Sequence, residues 1–108
     1  MNKLLKSNLF IDTSDNKKTI VVLNINGRDF KKEKESGKNK NQMVLFLLDE
    51  ILNENNLSLL DVHSVEVDIG PGSFTGLRVG LAIGNALSYL MNIKVNNMNI
   101  GAIVDAQY

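Results

Sequence analysis

The apolar positions of this chain fall first into short alternating runs and then into long ones. "NLFID", Asn8 to Asp12, reads as a short strand that ends in the polar turn "TSDNKK". "TIVVLNI", Thr19 to Ile25, is β-branched and apolar, and Asn26-Gly27 after it is a strong two-residue hairpin signal leading into "RDFKKEKES". The chain is therefore expected to open with a three-stranded meander. Its third strand is read as polar through Lys31, Lys32, Lys34, Lys38 and Lys40, mixed with Glu33 and Glu35. That composition suits a solvated sheet edge protected against aggregation, with a basic recognition patch as the sharper alternative.

From about Lys40 to Asn55 the period becomes helical. Met43 to Leu48 is an unbroken apolar run, followed by Ile51 and Leu52 with acids between. Such a run turns through more than a full circle, so one buried stripe does not hide all of it. "SLLD", Ser58 to Asp61, has the form of a cap and a short turn, and "SVEVDI", Ser64 to Ile69, alternates as a strand. The stretch "GPGSFTGLRVG" then opens a second helix at Phe74 or Thr75, with Ser73 or Thr75 as the N-cap, that runs to Met91. Gly76, Gly80, Gly84 and Ser88 recur every four residues along it as one small-residue ridge, beside Leu77, Leu81 and Leu87. After Arg78 there is no charge until Lys94. A helix apolar all round must be buried all round, so it is expected to pack on the chain's own sheet on one side and on a second helix or a partner subunit on the other, with the ridge in or directly beneath a helix–helix interface. A last strand, "KVNNMN", lies parallel to the one before the glycine loop. The predicted fold is α/β: one mixed five-stranded sheet in the order 3-2-1-4-5 with two main helices.

Length and composition narrow the chemistry. At 108 residues the chain predicts one domain, and twelve basic residues balance twelve acidic ones, which excludes a global field for nucleic acid or an anionic membrane. No cysteine is present, so there is no thiol nucleophile, disulfide or thiolate metal site. His63 is the only histidine, too few for an imidazole zinc site, and its place at a strand start reads as an exposed turn. Residues 1–14 lack a signal-peptide pattern, and the longest uncharged stretch falls short of a membrane span; the expected location is the cytoplasm.

"GPGSFTGLRVGLAIGNALSYLMNIKV", with "FIDTSDNKKTIVVL" near the start and "LLDEIL" in the first helix, resembles the N-terminal half of the TsaB (YeaZ) family of tRNA threonylcarbamoyladenosine biosynthesis proteins. The resemblance covers nearly the whole chain. It implies one lobe of the actin-like ATPase fold over residues 1–108, with the second lobe absent and residues 100–108, "IGAIVDAQY", resembling its start. It further implies a non-catalytic subunit that forms a heterodimer with the related enzyme TsaD and works with the ATPase TsaE on the adenosine beside the tRNA anticodon. On this resemblance the heterodimer contact comes from the two helices, which places Met43, Val44, Leu47, Leu48 and Ile51 with Gly76, Leu77, Gly80, Leu81, Gly84, Leu87 and Ser88 at the interface. ATP and metal are expected on the TsaD and TsaE partners. The catalytic relative's metal histidines are replaced at the start of the first helix by Lys40, Asn41 and Gln42.

Asp12, Thr13 and Ser14 resemble the first phosphate loop of actin-like ATPases, and Gly70, Gly72, Ser73, Thr75 and Arg78 form the glycine loop and helix start that could cradle an anion. A plain tight turn is the competing reading, since no "GxxxxGK[ST]" is present and Pro71 removes a donor N–H. Arg78 stands at the end of its helix where a cation is disfavoured, so Asp68, a partner carboxylate or a bound anion is expected to offset it. Two alternatives to the scaffold role remain at this stage: a nucleotide-binding half-lobe completing an ATPase site in an assembly, and a self-associating module, such as a homodimer, with no modification role.

Overall fold

The computed structural model describes residues 6–36 and 38–97. Strand β1, Ser7–Asp12, lies at the centre of a five-stranded sheet ordered β3-β2-β1-β4-β5. Its antiparallel neighbour is β2, Lys18–Ile25, which pairs on its far side with β3, Arg28–Glu35. On the other flank β4, Ser64–Val67, and β5, Lys94–Val95, run parallel to β1. This is the predicted order and direction of every strand. The hairpin forms because Asn26 and Gly27 both take positive φ, 52° and 90°, as a two-residue type I′ turn requires.

Helix α1 spans Lys40–Glu54 and α2 spans Phe74–Met91. Both cover the same sheet face. Leu9, Ile11, Val21, Leu23, Val65 and Val67 point from the strands into one core with Val44, Leu47, Leu48 and Ile51 of α1 and Leu81 of α2. Between β4 and the preceding helix, Ser58 caps a short 3-10 turn, Leu59–Asp61, by a reciprocal capping box with Asp61. The last strand is shorter than the sequence suggested because Asn96 and Asn97 both turn to positive φ and leave the extended region. Residues 98 and 99 of that predicted strand, and the 100–108 tail, lie outside the described residues.

The lysines of β3 behave as edge protection and not as a basic patch. Lys32 reaches across to Glu50 at 3.1 Å and Glu54 at 2.5 Å on α1, while Lys18 and Lys31 approach Glu33 at 3.4 and 3.8 Å.

The small-residue ridge on α2 turns to the interior. Gly76, Gly80, Gly84 and Ser88 are all buried: Gly80 and Gly84 lie against Val67 of β4, Gly76 lies against the Thr13 carbonyl and Lys40 of α1, and the Ser88 hydroxyl donates to the Ile93 carbonyl. A Cβ on Gly84 would meet both methyl carbons of Val67 at 3.1 Å and Val95 Cγ2 at 3.7 Å. Leu77 is fully buried and Leu81 nearly so; in α1, Val44, Leu47, Leu48 and Ile51 also belong to the core. Of the residues assigned to a partner contact, only Met43 and Leu87 are half-buried. Hydrophobic periodicity identifies which residues of a helix are apolar, but a sheet and a partner compete for the same stripe, and here the sheet takes the glycine side. Gly84→Leu is therefore expected to unfold the domain before it alters association. Overpacking of this kind costs about 1–3 kcal/mol, read as a lower denaturation midpoint at unchanged mass in light scattering. A normal midpoint with altered mass would contradict the assignment.

Candidate functional site

The β1–β2 turn, the β4–α2 glycine loop and the first turns of α1 and α2 converge at one end of the sheet. Thr13, just past β1, is 1 % exposed, and its hydroxyl is used twice. Oγ1 donates to the Gly76 carbonyl at 2.5 Å and accepts from the Gly80 amide at 3.0 Å. Those two backbone groups are the ones that an α-helix pairs with each other. The hydroxyl thus bridges a rung of α2, and the four-residue glycine spacing is the imprint of Thr13 on the helix. A Cβ at Gly80 would stand 2.5 Å from Thr13 Oγ1, and a Cβ at Gly76 would collide with the Thr13 carbonyl oxygen.

Ser14 continues the seam. Its carbonyl accepts from the Ser73 amide at 2.8 Å, and a Cβ on Gly72 would meet Ser14 Cβ at 2.7 Å. Asp12 folds its carboxylate back on the turn, where Oδ1 accepts from the Ser14 amide at 2.9 Å and hydroxyl at 2.6 Å. Asp68 does the same for the glycine loop by accepting from the Gly70 amide at 2.9 Å, so this local bond engages the carboxylate proposed to offset Arg78. Ser73, not Thr75, is the N-cap: its Oγ accepts from the Gly76 amide at 3.2 Å. Thr75 and Arg78 are exposed on the outer side of the first turn. The sequence-predicted loop residues are thus brought together, and most of their polar groups bind one another.

Lys40 is the residue of this region whose role sequence reasoning missed. It begins α1, is only 6 % exposed, and its ammonium donates to the carbonyls of Asp15 and, at 3.2 Å, of Lys18. It ties the β1–β2 turn to α1, and the signal available for it was slight: one lysine among several in a lysine-rich segment. Burial holds its ammonium below the ordinary lysine value, opposed by the nearby Asp15 and Asp12 carboxylates. A cavity of about 330 Å³ opens beside it, lined by Lys38, Lys40, Asn41, Ser73, Thr75 and neighbours. Among the described residues no group of three or more His, Cys, Asp or Glu is arranged to hold a metal ion. His63, at the other end of the sheet, is exposed and accepts the Ser7 amide on Nδ1 at 3.1 Å.

The outward sides of the helices carry the second candidate surface. Leu45 and Phe46 of α1 are 56 % and 50 % exposed, and Tyr89 and Leu90 of α2 are 80 % and 73 % exposed. Between the helices lies an open cleft of about 260 Å³ lined by Leu45, Leu48, Leu52, Leu57, Leu59 and Leu87, with Asp49, Asn53 and Ser58 at its rim. No helix among the described residues is long and apolar enough to cross a membrane.

Comparison with known proteins agrees with this architecture. Residues 33–102 match the family model described as TsaD, tRNA N6-adenosine threonylcarbamoyltransferase. The chain is 34 % identical over 90 residues to the tRNA threonylcarbamoyladenosine biosynthesis protein TsaB of Buchnera aphidicola, covering 83 % of this chain and 40 % of that protein. It is 36 % identical over 66 residues to the protein of the same name in Haemophilus influenzae, covering 60 % of this chain and 28 % of that one. The solved structure of YeaZ from Pseudomonas aeruginosa superimposes with a TM-score of 0.79 at 24 % identity, over 87 % of this chain and 44 % of that one. The chain thus spans less than half the length of these relatives.

Two variants test the site's construction. Thr13→Val removes the hydroxyl while keeping the shape, and is expected to lower stability by about 1–3 kcal/mol, because two buried backbone groups lose a partner; Thr13→Ser should recover most of it. A denaturation midpoint unmoved by Thr13→Val would show that the bridge is dispensable. For Lys40 the sign follows from its lowered value: the folded chain releases this proton before the unfolded chain does. Stability therefore gains from Lys40 as pH rises through the folded value toward 10.5. The stability difference between the natural chain and Lys40→Met should shift in the natural chain's favour over that window. A difference that is flat or moves the other way would refute it.

Proposed function

The chain belongs to the TsaB (YeaZ) family, and from that premise we propose that it acts in tRNA threonylcarbamoyladenosine biosynthesis as a non-catalytic subunit. Its partner in this reading is a TsaD-type transferase, paired through the outer sides of α1 and α2, with a TsaE-type ATPase in the larger assembly. ATP and metal are held by those partners.

The observation that carries the pairing is that both helices leave large apolar side chains exposed, Leu45 and Phe46 on α1 and Tyr89 and Leu90 on α2, each at least half exposed. Large apolar side chains grouped on one surface mark contact sites more often than single exposed residues do. Aromatic anchors such as Tyr89 supply much of the binding energy at such contacts. The non-catalytic reading draws support from the seam at the end of β1. Thr13 spends its hydroxyl on α2, and the Asp12 carboxylate closes its own turn. The residues that resemble a phosphate loop thus serve the fold.

Tyr89→Asp with Leu90→Asp is the direct test, because both side chains are exposed and the folded chain should tolerate them. Co-expressed with the transferase of the same genome, the double variant should bind it at least about 30-fold more weakly, as loss of one or more anchor contacts of about 2 kcal/mol implies, with an unchanged melting temperature. Full-strength binding by the variant, or none by the natural chain, would overturn the proposal.

A further inference from the structure

Asn26 is the one asparagine in the chain that glycine follows, and both residues are exposed at the tip of the β2–β3 hairpin. A side-chain amide beside such a peptide N–H is open to ring closure, because glycine presents no side chain against the approach. No atom lies within 4 Å of the place a Cβ on Gly27 would take, so water reaches the pair. Two hydrogen bonds engage the groups that would react. The Gly27 N–H donates to Asn24 Oδ1 at 3.1 Å. Asn26 Oδ1 accepts from the Lys6 N–H at 2.8 Å, while the Asn26 N–H donates to the Lys6 carbonyl at 2.9 Å. One bond thus holds the proton of the nucleophile, and the other holds the amide that it would attack.

We propose that Asn26 is a self-modification site which the folded hairpin keeps latent. In the reaction the Gly27 nitrogen gives its proton to water and bonds to Asn26 Cγ. The Cγ–Nδ2 bond breaks, and Nδ2 takes up a proton and leaves as ammonia. Water then opens the resulting cyclic imide at either carbonyl, which leaves aspartate or isoaspartate at position 26. Closure needs the nitrogen and Cγ brought together with the nitrogen lone pair free. The bond to Asn24 opposes loss of the proton, and the bond to Lys6 opposes rotation of the amide toward Gly27. Both are lost when the hairpin opens. The product places a negative charge between Lys6 and Arg28, and as isoaspartate it lengthens the main chain of a turn whose two positive φ angles suit an ordinary backbone. A folded chain therefore keeps Asn26, and a chain that spends time open at this hairpin loses it irreversibly.

The test incubates the full chain at mildly alkaline pH, folded in buffer and unfolded in concentrated urea, and follows the hairpin peptide by mass spectrometry after digestion. Conversion of Asn26 should be about twentyfold slower in the folded chain than in urea, as two ordinary hydrogen bonds held against the reaction imply. Asn24→Ala removes the acceptor for Gly27, and Lys6→Pro removes the N–H that holds the Asn26 amide. Each should speed conversion of the folded chain about fivefold, the rate equivalent of one such bond, and leave the rate in urea unchanged. The second variant serves as the test if the first lowers the melting temperature. Conversion as fast in the folded natural chain as in urea, folded variants no faster than the natural chain, or no conversion of Asn26 in urea would overturn the proposal.

Discussion

One hydroxyl sets the geometry of this domain. Thr13 leaves the central strand and places Oγ1 between the Gly76 carbonyl and the Gly80 amide, which brings strand and helix backbones to within side-chain contact. That approach needs glycine at 76 and 80, since a Cβ at either would run into Thr13. Interior glycines lower helix propensity by about 1 kcal/mol each relative to alanine. The buried bridge and the close packing offset that cost. With α2 drawn down on the sheet, Gly84 reaches Val67 and Val95, and the glycine loop rests on Ser14.

The consequences extend to the surface. With the small side of α2 spent on the fold and Leu77 and Leu81 buried beside it, Tyr89 and Leu90 are left exposed. In α1 the same division sends Val44, Leu47, Leu48 and Ile51 inward and leaves Leu45 and Phe46 out. Lys34 stands 5.4 Å from the Phe46 ring and shields part of it. The interaction that fixes the fold thereby selects which residues are free for a partner.

The fold was legible in the sequence where signals were local. Asn26-Gly27 specified the hairpin, alternation specified the strands, and the chirality of helical crossovers fixed the order 3-2-1-4-5. The glycine ridge was visible as a pattern, but not its direction: spacing shows that Gly76, Gly80 and Gly84 share a side and says nothing of what lies against it. Thr13 was singled out for its resemblance to a phosphate loop, whereas its bonds to residues more than sixty positions away appear only in three dimensions. Lys40 was hidden for the same reason, because its partners, the carbonyls of Asp15 and Lys18, are backbone atoms without a sequence signature.

The central functional claim is that this chain supports a transferase's chemistry without performing it. The most direct measurement is quantitation of threonylcarbamoyladenosine by mass spectrometry in unmodified tRNA incubated with ATP, a threonylcarbamoyl donor and the TsaD-type and TsaE-type proteins of the same genome, with and without this chain. The account predicts modification only when the chain is present, retained in Asp12→Ala. Modification that is equal without the chain, or lost with Asp12→Ala in a protein that still folds and binds its partner, would contradict it.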